Sequence, residues 1–148
     1  MGNMRSVGHF GPLMGYCDHQ VQVLMVRMLK EYDVSPVQCR TLVFLHESRE
    51  PVNQKMLEQY LMVKPSTVNG IVGRLEEKGL LRRRASAEDL RCRILQLTEQ
   101  GMSFYDDFTA IMCRMNEIVE QCYTAEELAT LQVLLSRLAD TLTREVNQ

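Results

Sequence analysis

Small, hydrogen-bonding and cationic side chains are concentrated near the middle of this 148-residue chain. Hydroxyl, amide, ammonium and guanidinium groups contact nucleic-acid phosphates and base edges, and residues without bulk allow a close approach. The residues of this kind are Lys64, Pro65, Ser66, Thr67, Asn69, Gly70, Arg74, Arg83 and Arg84. Their types predict a DNA-contacting surface if the local structure places them together.

A helix and a hairpin are the elements that must position these side chains. Apolar residues recur at the i, i+3, i+4, i+7 spacing of one helix face, at Val68, Ile71, Val72 and Leu75. Pro65 suits the first turn of this helix and Gly79 its end. The period then changes to alternation around a polar segment, which indicates a β-hairpin that begins near Leu81 and closes near Thr98. A hairpin beside a helix–turn–helix is a wing whose arginines reach phosphates or the minor groove.

Two glycines, Gly70 and Gly73, lie inside the predicted helix. Each costs about 1 kcal/mol relative to alanine at such a position. Either close approach of the helix to a phosphate backbone or packing against a neighbouring helix would account for them. Composition alone favours neither reason.

The order and spacing of residues in this stretch resemble the winged-helix region of MarR-type bacterial transcriptional regulators. The matching residues are Leu75, Lys78, Gly79, Leu80, Arg83, Asp89, Arg91, Leu97 and Thr98. The resemblance implies a mostly α fold with a small β-hairpin wing (α+β), in a single domain over residues 1–148. It implies a winged helix–turn–helix DNA-binding lobe at 35–97, flanked by dimerisation helices at 12–32 and 99–146.

The resemblance also assigns roles at the wing tip. It implies that Arg91 enters the minor groove while a salt bridge from Asp89 holds its side chain. Leu90 stands where an arginine is common in the family, and Gly70 stands where a larger, often basic side chain is frequent. Both departures remove contacts, so we expect modest affinity and relaxed sequence preference. A binding-site selection that returned one tight consensus would contradict this expectation.

Capping signals mark where the other helices begin. Ser35 and Thr124 open capping boxes, and Asn53 and Thr98 are expected N-caps. The residues expected to face inward in the helix after Asn53 are Met56, Leu57 and Tyr60.

The helices at the two ends of the chain carry more apolar surface than one small winged helix can cover. We expect a homodimer through these helices, as the resemblance also implies, and an intramolecular three-helix packing is the alternative. A two-fold dimer would address double-stranded DNA at pseudo-palindromic half-sites about 34–36 Å apart.

Charge is distributed unevenly although the net charge is only −2. Residues 52–97 contain nine Lys or Arg against five acidic residues, a balance of +4, which leaves −6 for the remainder. A basic patch on an acidic protein would orient it on DNA.

Other classes of site lack their signatures. Five cysteines without a CxxC pair and three scattered histidines predict neither a disulfide framework nor a metal site. No catalytic Ser/His/Asp set, carboxylate pair or phosphate loop is recognisable, so we expect no enzyme and no cofactor. The short aliphatic runs and the lack of a recognisable signal peptide predict a cytoplasmic protein without a membrane partner.

Three functions remain compatible with the sequence. The first, which the resemblance implies, is a dimeric sequence-specific repressor released by a small aromatic or phenolic effector. The residues near the crevice that this family uses are Tyr16, Arg27, Arg40 and His46, which are equally compatible with plain surface positions. The second is a redox-sensing repressor that uses Cys17 or Cys113. The third is an interaction module without DNA binding, which Leu90 and Gly70 favour.

Overall fold

The computed structural model describes residues 10–86 and 92–147. The helices are α1 (Phe10–Leu29), α2 (Pro36–Glu47), α3 (Gln54–Leu61), α4 (Pro65–Glu77), α5 (Glu99–Glu120) and α6 (Ala125–Val146), with a 3₁₀ turn at Lys30–Tyr32. The strands are β1 (Val52–Asn53), β2 (Leu81–Ala85) and β3 (Arg93–Leu97). This mostly helical chain with a small antiparallel sheet confirms the predicted fold class. The chain divides into two compact units, of which the first ends at Thr109 and the second begins at Ala110.

Side-chain caps fix the first residues of α2, α3 and α6, as the sequence predicts. Ser35 Oγ accepts from the N–H of Gln38 at 3.4 Å, and Gln38 Oε1 accepts from the N–H of Ser35 at 3.0 Å. Asn53 Oδ1 accepts at 3.0 Å from the backbone N–H three residues further on. Thr124 and Glu127 form a second reciprocal capping box. Each cap contributes about 1 kcal/mol to helix stability, so these polar residues set the boundaries.

The sheet has the strand order β1-β3-β2, with both pairs antiparallel. The register of the hairpin sets Leu81 opposite Leu97 and Arg83 opposite Leu95. Strand β1, which pairs with β3 at Leu95, was not predicted. A strand of two residues is too short to show an alternating pattern in the sequence.

The apolar face of α4 lies in the core of the first unit. The residues predicted for this face, Val68, Ile71, Val72 and Leu75, are all buried. The helix packs against α2, α3 and β2. Because burying one aliphatic side chain contributes about 1.5–3 kcal/mol, this face anchors α4 firmly and leaves its other face available.

One expectation for α3 is wrong. Leu57 is buried and Met56 half-buried, as predicted, and Leu61 is buried as well. Tyr60, however, is 40% exposed. Its ring stacks on Phe44 with the ring centroids 4.1 Å apart, so an aromatic partner on α2 holds it at the surface instead of the core.

The helices at the two ends of the chain bury little. Leu29 is the buried residue of α1, and no residue of α6 is buried. The exposed large aliphatic residues include Leu13, Met14, Val21 and Val26 in α1 and Val133, Leu134, Leu135 and Leu142 in α6. Among the described helices, none combines the length and the apolar character needed to cross a membrane.

Candidate nucleic-acid interface

The exposed face of α4 collects the small and polar residues that the sequence singled out. Because successive helical residues are about 100° apart, Ser66, Gly70 and Gly73 lie at the centre of the face opposite the buried side chains. Asn69 flanks this centre on one side and Arg74 on the other, and both are exposed. We call this surface the polar face of α4.

The start of α4 is exposed and has no side-chain cap. Lys64 occupies the N-cap position, and its side chain makes no capping hydrogen bond. Pro65 follows without a backbone N–H, while the N–H groups of Thr67 and Val68 both donate to the carbonyl oxygen of Lys64, at 3.0 and 3.2 Å. The positive end of the helix dipole therefore faces outward where an anion such as a phosphate would be stabilised.

Open space surrounds both glycines of α4. A Cβ built on Gly70 or Gly73 would meet nothing within 4 Å. Within the described residues, this excludes packing against a neighbouring helix, which was one of the two reasons considered for them. Close approach to a phosphate backbone stays a prediction for these two positions.

Arg83, which the sequence predicts as a DNA contact, is held by α4. Its Nη1 pairs with a carboxylate oxygen of Glu76, whose other oxygen accepts from the backbone N–H of Arg83 at 2.9 Å. Its Nη2 donates to Asn69 Oδ1 at 3.0 Å. The Arg83 and Glu76 side chains are only 22% and 30% exposed, so the pair is partly shielded from water. These bonds tie the wing to the polar face of α4.

The bond from Arg83 also fixes the orientation of the Asn69 amide. A guanidinium group only donates hydrogen bonds, so the oxygen of Asn69 must face it and the amide nitrogen is left as a donor. A donor in the major groove matches the acceptors N7 and O6 of guanine, N7 of adenine or O4 of thymine.

Arg82 and Arg84 on strand β2 share one acceptor on β3. Arg82 Nε donates to Gln96 Oε1 at 3.1 Å, and Arg84 Nη1 donates to the same oxygen at 3.3 Å. Both arginines remain exposed, so the wing presents two cations beside α4. The residues whose predicted roles lie outside the described part of the chain are Asp89, Leu90 and Arg91.

Hydrogen bonds and a close backbone contact join the end of α4 and the wing to the start of α5. Gly79 ends α4 with φ +70°, a left-handed conformation that glycine adopts without strain. The Thr98 hydroxyl donates to the carbonyl of Gly79 at 2.6 Å and accepts from the N–H of Gly101 at 3.1 Å, which confirms the predicted N-cap. A Cβ on Gly101 would lie 1.9 Å from the carbonyl oxygen of Leu80, so this position requires glycine.

Solved structures of known proteins share this architecture. The chain resembles the S. aureus MepR–DNA complex with a TM-score of 0.78 and 22% identity, over 90% of this chain and 98% of that one. It resembles a probable transcriptional regulator from Pseudomonas aeruginosa with a TM-score of 0.75 and 25% identity, over 88% and 96% of the two chains. A mutant MarR from E. coli gives a TM-score of 0.80 and 20% identity, over 91% and 99%.

The family model for the MarR family matches residues 32–91. Across these residues the chain is therefore similar to the MarR family. The matched range contains α2, α3, α4 and strand β2, and therefore the polar face of α4. The MarR-type resemblance read from residues 75–98 is thus confirmed, and the fold is that of a transcription regulator of this family.

Two of the residues considered for a MarR-type effector crevice, His46 and Arg40, contact different aromatic rings. His46 stacks on Tyr105 with the ring centroids 3.8 Å apart, and the Tyr105 hydroxyl donates to Glu47 at 3.0 Å. The hydrogen bond to this carboxylate raises the pKa of Tyr105. Arg40 instead lies over the ring of Tyr60, 5.7 Å from its centroid. Tyr16 and Arg27, the other two candidates, make no hydrogen bond, ion pair or ring contact with the described residues.

The thiols differ in their accessibility. Cys17 and Cys113, the candidates for redox sensing, are exposed. Cys39 is buried, and burial raises the pKa of its thiol to about 11. Across residues 10–86 and 92–147, no three side chains of His, Cys, Asp or Glu are grouped so that they could hold a metal ion.

Proposed function

We propose that this protein is a homodimeric transcriptional repressor that binds double-stranded DNA sequence-specifically and is released by a small-molecule effector. The observation that carries the proposal is the polar face of α4, where hydrogen-bonding side chains surround two glycines with open space beside them. S. aureus MepR, whose fold this chain shares, has been solved in complex with DNA, which supports the same use of the fold here.

The contacts within one half-site divide by chemistry. Ser66, Thr67 and Asn69 near the start of α4 approach base edges or phosphates, and Gly70 permits the approach. Cations contact phosphates, which position the protein without reading sequence. The residues assigned to phosphate contacts are Lys64 with Pro65 at the helix start, Arg74, Arg82 and Arg84. As the MarR-type resemblance implies, Arg91 enters the minor groove and Asp89 holds its side chain.

Arg83 has a different role in this proposal. Its guanidinium already bonds Glu76 and Asn69, so it positions the amide of Asn69 and the wing. Leaving that shielded pair for a phosphate would break two charge-assisted contacts, which are the strong class of hydrogen bond.

The homodimer is supported by the apolar surface at the two ends of the chain. A helix of 22 residues such as α6 normally buries an apolar stripe, yet none of its residues is buried in the single chain. Leu135 and Leu142 are 51% and 46% exposed. A second copy would cover such residues, and its two-fold axis would set two α4 helices about one turn of DNA apart.

Release by an effector requires a ligand that binds the DNA-free conformation more tightly than the DNA-bound one. Such a ligand weakens DNA binding by the same factor as DNA weakens ligand binding. The effector in this proposal is small and aromatic or phenolic, as the MarR-type resemblance implies.

Fluorescence anisotropy tests the DNA-binding role. The wild type, Asn69→Ala and Asn116→Ala are titrated onto the duplex upstream of the protein's own gene and onto a scrambled duplex, over a salt series. We expect a preference for the native duplex that Asn69→Ala lowers by about 1–3 kcal/mol, because a base contact is lost. Asn116, exposed on α5, provides the same side-chain change away from α4. If neither duplex is bound at low salt, the interaction-module function replaces this proposal.

A further inference from the structure

A cavity of about 240 Å³ lies beside the β1 edge of the sheet, within the first unit. Its open-sided wall is formed by the end of α2, the segment before β1, strand β3 and the first turn of α5. Its principal lining residues are Leu45, His46, Glu50, Val52, Gln96 and Met102.

This space exists because β1 begins only at Val52. The register that pairs Val52 with Leu95 would set Pro51 opposite Gln96 if the strand continued. Proline has no backbone N–H to donate to a ladder, so pairing stops and β3 is uncovered beyond Leu95 on this side. Glu50 and Pro51 then form a wall of the cavity, where they would otherwise extend a strand.

The lining sets the chemistry of a ligand. Leu45, Val52 and Met102 make part of the lining apolar, which suits an apolar ring, while Glu50 adds an acidic residue to the wall. None of the described residues that line the cavity is Lys or Arg. The volume lies below the range of about 300–1,000 Å³ that is typical for drug-sized ligands. We propose that the cavity is a binding site for a small, single-ring organic cation whose charged group pairs with Glu50.

Gln96 connects this site to the wing. Gln96 is one of the residues that line the cavity, and its Oε1 is the shared acceptor of Arg82 and Arg84. A ligand that shifts Gln96 therefore disturbs both exposed cations that the wing presents beside α4. This coupling, which rests on the proposed function, makes the cavity the effector site of the repressor.

Three isosteric probes test the site without DNA: benzamidine, benzamide and benzoate. Binding is followed through the methyl resonance of Met102, which Met102→Leu assigns. We expect benzamidine to shift this resonance with a millimolar dissociation constant and benzoate to leave it unchanged. Glu50→Gln should weaken benzamidine about three- to fivefold, as expected for an exposed charge pair, whereas Glu31→Gln, an exposed acid on another element, should not. Equal binding of benzamidine and benzoate, or an unchanged affinity in Glu50→Gln, would overturn the site.

DNA anisotropy with saturating benzamidine tests the coupling. We expect the ligand to weaken binding of the native duplex at least fivefold in the wild type and to have less effect in Glu50→Gln at the same concentration. If benzamidine shifts Met102 but leaves DNA affinity unchanged, the coupling through Gln96 is refuted. If the protein binds no DNA at all, the proposed function fails, whereas the Met102 titration still decides whether the cation site exists.

Discussion

Replacing both glycines of α4 by alanine should separate the stability of the protein from its DNA binding. Open space beside Gly70 and Gly73 means that the added methyl groups clash with nothing in the described chain. Each substitution removes the helix penalty of glycine, about 0.8–1 kcal/mol. The expected gain for the double variant is therefore about 1.5–2 kcal/mol.

Thermal unfolding and DNA anisotropy on the same samples provide the assay. At roughly 3 °C per kcal/mol for a domain of this size, Gly70→Ala/Gly73→Ala should raise Tm by about 5 °C at fixed protein concentration. DNA affinity should fall by about tenfold or more, because methyl groups forced into a close contact cost about 1–3 kcal/mol. Asn116→Ala should also raise Tm slightly, since alanine is the better helix former, without changing DNA affinity.

Two results would refute this reasoning. A lower Tm in the double variant would mean that the glycines serve the fold of the free protein. A higher Tm with unchanged DNA affinity would mean that DNA does not approach the polar face of α4 closely, and the contact assignments on this helix would fail together.

Four further outcomes test other parts of the structure. Arg84→Gln should weaken binding to every duplex and lower by about one the slope of the logarithm of the binding constant against the logarithm of salt concentration. Arg83→Gln should keep this slope and lose sequence preference. Equal losses of slope in the two variants, measured by anisotropy, would contradict the positioning role of Arg83. Leu135→Glu should shift light scattering from dimer towards monomer, and an unchanged dimer would exclude α6 from the interface. Gly101→Ala should lower the free energy of unfolding in urea by about 2 kcal/mol or more, since the clash is with backbone, and a neutral result would contradict the junction. Cys39 should react with a thiol reagent only on unfolding, because burial raises its pKa and blocks access, and fast native labelling at this position would show otherwise.

Local signals in the sequence were sufficient for most helix boundaries. Each capping side chain accepts a hydrogen bond from the backbone N–H three residues further on, so both partners lie within a short stretch of sequence. The capping residues are Ser35, Asn53, Thr98 and Thr124. The buried face of α4 also follows from spacing alone. What these signals share is that both interacting groups belong to one element.

Pairs formed between elements could not be read in the same way. The bond from Arg83 to Asn69 crosses 14 residues, and its existence depends on the register of β2 against α4. Tyr60 was expected in the core because aromatic residues at helical spacing usually face inward, whereas Phe44 offers a surface partner. The need for glycine at position 101 arises from the carbonyl of Leu80, which sequence alone does not bring near.

The division of α4 into a buried and an exposed face has an evolutionary consequence. Val68, Val72 and Leu75 hold the helix in the core, while Ser66 and Gly70 are exposed. Surface substitutions of this kind usually change stability by no more than about 0.5 kcal/mol, glycine positions excepted. Under the proposed function, descendants of this protein can therefore change the operator that they recognise by replacing exposed residues of α4 one at a time while the fold is retained.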